Sequence, residues 1–178
     1  MSYREDHHFK LKSNYSQSAG IDFSKYETKE ELVKLWRETV DAGMHGICFS
    51  MYEDGQEPGD TITEEQVERR VKILKPHTKW IRSFSCIEGN EHIPRMAAKH
   101  GLKNMVGAWL GDDMEKNEQE IEGLIQLAKE GCVDIAAVGN EVMYRKDLTE
   151  DELLGYIYRV KEALAGLDIP VGLSLIHI

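Results

Sequence analysis

The sequence predicts an α/β protein built on a parallel sheet. Three observations carry this: helix-start signals recur along the 178 residues, short apolar runs lie between the helices, and the two kinds of segment alternate. Strand, crossover helix and next strand produce that alternation.

Four capping boxes mark helix starts, each a Thr or Asn followed three residues later by Glu or Gln. They are Thr28/Glu31, Thr63/Gln66, Asn117/Glu120 and Thr149/Glu152. In such a box each side chain satisfies the other's free backbone N–H. Two are reinforced by a hydrophobic staple, Ile62 with Val67 and Leu148 with Leu153. Apolar stripes at helical spacing follow: Leu32, Leu35/Trp36 and Val40; Val67, Val71 and Leu74; Ile121, Leu124/Ile125 and Ala128; Leu153, Ile157, Val160 and Leu164. Gly43, Gly131 and Gly166 stand where a glycine ends a helix, and Pro76 follows the remaining one. A shorter helix is predicted over 91–100, with Pro94 in its first turn and Gly101 after it.

The runs 46–51, 80–85, 104–110, 133–139 and 171–176 are too brief for helices and continuous in apolar character. They suit parallel strands buried on both faces. One leading helix followed by β-α-β-α-β-α-β-α-β allows an open doubly wound sheet or a (β/α)₈ barrel. No Gly-x-Gly-x-x-Gly follows a strand, so a dinucleotide site has no support. A whole barrel takes about 250 residues. On that reading only the first four to five βα units are present.

Composition narrows the function. Lys plus Arg is 22 and Asp plus Glu is 32, a formal charge of −10. That repels nucleic acid and anionic membranes. Hydrophobic residues at 41% supply a real core. No apolar run approaches a membrane span. The N-terminus, Met1 to His8, is charged and lacks the apolar stretch of a secretory signal. The chain as written is therefore expected in the cytoplasm, with export left open. Cys48, Cys86 and Cys132 are far apart and form no CxxC pair, so they read as buried, reduced, small hydrophobes. His7-His8 reads as a terminal pair rather than a metal site, and no metal or cofactor is called for.

Functional side chains of a parallel α/β fold gather at the C-terminal ends of strands. Those ends carry Ser50, Tyr52, Glu53 and Asp54; Arg82, Phe84, Ser85 and Glu88; Trp109 and Asp112; and Asn140-Glu141. Aromatic faces stack on sugar rings, and amides and carboxylates take up hydroxyls, so the set suits a neutral polyhydroxylated ligand. Lys79 and Lys103 lie at strand starts, where a Schiff-base lysine would not, and His45 stands alone. An unrelated lysine- or metal-using barrel enzyme thus has little support. Asn140-Glu141 is the sharpest feature. An acid that protonates a glycosidic oxygen needs a raised pKa and a fixed rotamer, and a strand end supplies the rigidity. Arg82, in an apolar strand, needs a carboxylate partner if buried. Trp109 reads equally as sugar platform or barrel core. Tyr52 reads as a substrate contact rather than plain surface. Glu30-Glu31 and Asp112-Asp113 read as solvated charge at helix starts or loops.

At residues 45–52 (HGICFSMY), 79–84 (KWIRSF), 106–111 (VGAWLG) and 133–142 (VDIAAVGNEV) the chain resembles glycoside hydrolase family 17, the endo-β-1,3-glucanase-like proteins. The last segment is the most specific. The similarity is strongest for the microbial branch and runs from about 43 to 171. It implies a (β/α)₈ barrel and a retaining mechanism. Glu141 would be the acid/base, and a nucleophilic Glu would sit on a seventh strand that this chain lacks, the two carboxyls about 5–5.5 Å apart. Asn140 would bind sugar beside that nucleophile. Tyr52, Arg82, Phe84 and Trp109 match positions that line the glucan cleft or support its carboxylates. The resemblance divides the chain into an N-terminal extension, 1–27, and an incomplete glycosidase barrel, 28–178. Residues 172–178 depart from the family's fifth strand, which suggests a truncated or foreign end. Glu53, Glu88 and Asp112 match no nucleophile position and read as solvated acids.

The function implied is a retaining β-1,3-glucan hydrolase, inactive without its nucleophile. The alternatives are a β-glucan transglycosylase and a non-catalytic carbohydrate-binding half barrel. Poly- or oligosaccharide is the expected partner. Open strand edges would favour self-association.

Overall fold

A computed structural model of the chain describes residues 23–174. The chain divides into two compact units, residues 1–39 and 40–178. Helix α1 (Lys29–Asp41) begins in the first. Its capping box is made: the Glu31 amide donates to Thr28 Oγ1, and the Glu31 carboxylate accepts the Thr28 and Glu27 amides. No side chain of α1 is buried, and Trp36 is 65% exposed. The Leu32/Trp36 stripe therefore marks a helix without marking a buried face. His7-His8 and most of the predicted extension lie outside the described residues.

The second unit is a run of βα units. In order they are β1 (Met44–Cys48), α2 (Glu64–Leu74), β2 (Thr78–Arg82), α3 (His92–Lys99), β3 (Lys103–Ala108), α4 (Met114–Lys129), β4 (Ile135–Asn140), short α5 (Val142–Arg145), α6 (Glu150–Ala163) and β5 (Val171–Ser174). All four strand pairings are parallel and the order is β1-β2-β3-β4-β5. A doubly wound sheet reverses strand order at a switch point. This order never reverses, which is the sequence of neighbours in a barrel.

Two apolar clusters pack helices onto the sheet. Val67 and Val71 of α2 meet Ile81 of β2 and Ile93 of α3. Ile121, Leu124 and Leu127 of α4 meet Val106 of β3, Val138 of β4 and Val160 of α6. Each of these α4 side chains is essentially fully buried, worth about 1.5–3 kcal/mol apiece.

The structure corrects several expectations. Helix α4 starts at Met114 and is capped by Asp113, whose side chain accepts the Glu115 and Lys116 amides. Asn117 and Glu120 are thus no capping box; both are buried one and two turns inside the helix. Asp113, read from the sequence as solvated charge at a helix start or loop, is exposed and supplies the cap. At α2, Thr63 caps Gln66, but the Gln66 side chain turns away to the Met51 carbonyl and Gln56. Only Cys86 is a buried cysteine; Cys48 closes the half-exposed edge strand β1, and Cys132 lies half-buried in the loop after α4. Residues 172–174 do form the fifth strand, pairing Gly172 with Ala137 and Ser174 with Asn140. No departure begins at 172; residues 175–178 lie outside the described range.

Candidate active site

Strand β4 ends in a sharp change of backbone. Gly139 has φ +84°, and a Cβ there would lie 2.7 Å from Val142 Cγ2. Asn140 follows, and then Glu141 at φ 53° and ψ 23°, in the left-handed region. A non-glycine residue there costs roughly 1–3 kcal/mol and persists where its surroundings hold it. Here they do. The Glu141 amide donates to the Ser174 carbonyl at 2.9 Å, and the Glu141 carbonyl accepts the Arg145 amide at 2.9 Å. Glu141 is half-buried, presented by a bend fastened to β5 and α5.

The Asn140 side chain is fixed from two strands. Arg82 Nη2, from the end of β2, donates to Asn140 Oδ1 at 2.8 Å and also to Ser174 Oγ. Ser174 Oγ in turn donates to Asn140 Oδ1 at 3.2 Å. The Arg82 guanidinium lies 4.5 Å from the centre of the Phe84 ring. Among the described residues no carboxylate pairs with Arg82: it is half-buried, and two neutral oxygens and a ring face receive its charge instead.

A second arginine, Arg145 of α5, ties the strand ends together. It donates to the carbonyls of Asn140 and Leu110 and pairs with Asp147 at 2.6 Å. Its guanidinium lies 4.5 Å from the Trp109 ring centre. Trp109 is 43% exposed, so it is not core. With Tyr52 and Phe84 it lines a cavity of about 500 Å³, together with Ser85, Asn90 and Glu120. Tyr52 is half-buried against the β2 cluster.

The loop acids divide. Glu53 pairs with Arg69, Glu88 pairs with Lys116 at 3.3 Å, and Asp112 is exposed. Glu120 is different. It is 3% exposed, accepts the Ser85 hydroxyl on Oε1, and accepts the Cys86 amide on Oε2 at 2.7 Å. Burial pushes its carboxyl up to about 7 against those stabilising hydrogen bonds.

Of the six predicted site residues, Asn140, Arg82 and Phe84 are joined directly, and Glu141 adjoins them along the backbone. Trp109 joins through Arg145, and Tyr52 shares the cavity with Phe84 and Trp109. Sequence reasoning missed Arg145, Ser174 and Glu120. For Glu120 a signal existed: extending the Ile121/Leu124 stripe back one turn lands on Asn117 and Glu120.

The sequence pattern of the BtgE/BtgC glycoside hydrolase domain matches residues 46–175. A Schizosaccharomyces pombe glucan 1,3-β-glucosidase is 32% identical over 111 residues, covering 57% of this chain and 34% of the relative. The Candida albicans glucan 1,3-β-glucosidase BGL2 is 27% identical over 106 residues, again 57% and 34%. Among solved structures, a glycoside hydrolase family 17 β-1,3-glucanosyltransferase from Rhizomucor miehei aligns with TM-score 0.61 and 25% identity, over 74% of this chain and 49% of that one. An active-site mutant of the Rhizomucor miehei β-1,3-glucanosyltransferase, in complex with laminaritriose, aligns with TM-score 0.63 and 24% identity, over 76% and 51%. The chain thus spans about a third of these curated relatives and about half of these solved chains. The fold and the family resemblance read from the sequence are both borne out: the chain carries the first five strands of a (β/α)₈ barrel of the family 17 type, and it belongs to the BtgE/BtgC glycoside hydrolase domain family.

Proposed function

We propose that the protein with its barrel complete is a retaining glycosidase acting on β-1,3-linked glucan. Glu141 is its acid/base, and Asn140, Tyr52, Arg82, Phe84 and Trp109 bind sugar. One observation carries this reading: β4 closes in Asn140-Glu141, with the amide locked by Arg82 and Ser174 and the acid on a fastened left-handed bend. A general acid is effective when its carboxyl is held at the leaving oxygen, and the fastened backbone that carries Glu141 supports that role. In a retaining cycle Glu141 first gives its proton to the departing glycosidic oxygen as a nucleophilic carboxylate attacks C1. It then takes a proton from the water or sugar hydroxyl that releases the glycosyl-enzyme. The nucleophile belongs to a strand beyond β5.

Transfer to an acceptor sugar is the second reading. The solved relatives named as β-1,3-glucanosyltransferases favour it. Incubating the complete protein with laminari-oligosaccharides separates the two. Reducing sugar released in step with cleavage supports hydrolysis, and products longer than the substrate support transfer. Glu141→Gln should reduce either by at least a hundredfold. An unchanged rate in that variant, or turnover only with added metal, would overturn the assignment.

A further inference from the structure

Helix α4 packs its N-terminal half beneath the cavity, and two of its buried positions there, Asn117 and Glu120, are polar. Asn117 accepts the Gly111 amide and donates to the Gly111 carbonyl, both at 2.8 Å, gripping the segment just after Trp109. One turn on, Glu120 takes the Ser85 hydroxyl and the Cys86 amide, gripping the loop just after Phe84. The Trp109 amide also favours its ionised form. At Gly123, a Cβ would lie 2.8 Å from the Cys86 carbonyl oxygen, so the helix touches this loop backbone to backbone. Two of the cavity's aromatic walls, Phe84 and Trp109, are therefore set by one helix.

We infer that Glu120 is a positioning residue. By holding Ser85 and Cys86 against α4, it fixes the spacing between Phe84 and Trp109 and so tunes the cavity for a glucosyl ring. The sugar as occupant rests on the proposed function; the positioning does not. A carboxylate accepts both donors at once. Once protonated it must turn one donor around or lose it, because a protonated carboxyl carries a donor of its own. The charge-assisted bonds weaken with it. Charged and titratable groups on every side share this environment. The loop after β2 supplies the Cys86 thiol, Glu88 and, farther out, Glu91; the β3–α4 segment supplies Asp112 and Asp113; α4 itself supplies Lys116, paired with Glu88.

The test follows the Trp109 indole N–H by NMR in the full chain from pH 5 to 9, with Trp109→Phe assigning the signal. The signal should move with a midpoint near 7. Glu120→Gln should hold it still, whereas Glu88→Gln should leave the signal moving with a lower midpoint, because the Glu88 charge helps to keep the Glu120 carboxyl protonated. Laminaritriose affinity, measured by calorimetry at pH 6 and pH 8, should be at least threefold tighter at pH 8 in wild type and equal at both in Glu120→Gln. A signal that does not move, or moves identically in Glu120→Gln, overturns the positioning role. A signal that moves while laminaritriose binds at neither pH supports the positioning and overturns the sugar as occupant.

Discussion

Replacing Glu120 by Gln should stabilise the protein, and only above a certain pH. In the unfolded chain this carboxyl ionises near 4.5; in the fold, burial holds it protonated up to about 7. Below pH 4.5 both states carry the proton and there is no penalty. Between 4.5 and 7 the unfolded chain releases its proton while the fold retains it, so native stability falls as pH rises. Above 7 the cost is complete, about 3 kcal/mol at roughly 1.4 kcal/mol per tenfold change in proton affinity. Gln keeps the shape, its amide oxygen facing the Cys86 N–H and its amide nitrogen facing the Ser85 hydroxyl. At pH 8, Glu120→Gln should therefore melt roughly 6–12 °C above wild type, since each kcal/mol moves Tm by about 2–4 °C in a chain of this size. At pH 5 the two should melt within about 3 °C of each other, the size of a small residual packing difference. Calorimetric melts of both proteins at pH 5, 6, 7 and 8 decide the matter. The difference between them isolates this group from Glu68, whose ion pairs hold it down to about 2 and which acts in a lower pH window with the opposite slope. A Gln variant less stable by the same margin at every pH would refute the reasoning, because the carboxylate would then be paired well enough to offset its burial.

Two further substitutions probe how the site is held. Arg145→Lys leaves the Asn140 and Leu110 carbonyls competing for one ammonium and removes the planar group over Trp109; urea unfolding should show a loss of about 2–4 kcal/mol, from carbonyls left unsatisfied. A loss below about 0.5 kcal/mol would mean that these bonds add nothing over solvent. Gly107→Ala puts a Cβ 2.8 Å from the Ser83 carbonyl oxygen and 3.1 Å from Phe84 Cα; both are backbone, so β3 must shift, at a cost of about 1–3 kcal/mol in the same urea titration. Wild-type stability in Gly107→Ala would show that the strand moves freely there.

The elements were legible because their signals are local. Thr28 and Thr149 cap as their boxes say, and Gly43, Gly131 and Gly166 end helices at φ of 86°, 78° and 90°. Strand limits slipped for a physical reason. The apolar runs at 46–51 and 80–85 continue past the last paired residues, Cys48 and Arg82, because Phe49 and Met51 are buried by packing and Phe84 is half-buried under Arg82. Asn117/Glu120 misled because Asn-x-x-Glu is also what a buried helical face looks like when polar groups occupy it. Asp113, four residues earlier, was the competing cap.

The strand-end residues could be named from the sequence, whereas what holds them could not. Arg82 meets Ser174 across 92 residues, Ser85 meets Glu120 across 35, and Arg145 meets Leu110 across 35. No local pattern encodes such pairs; they exist because the parallel βα repeat gathers every strand end on one side of the sheet, where Arg82 of β2 reaches Ser174 of β5 past the two strands between them. Two residues of the site also carry an energetic mark. Glu141 sits in a backbone region that costs energy, and Glu120 is a carboxyl buried at the expense of its charge. Each would be cheaper as another residue, glycine in the first case and glutamine in the second, if folding were all that was required of it. Ile121 and Leu124, beside Glu120 on the same helix face, carry no such cost. The contrast along one helix separates the side chains that hold the barrel together from the one that shapes its mouth.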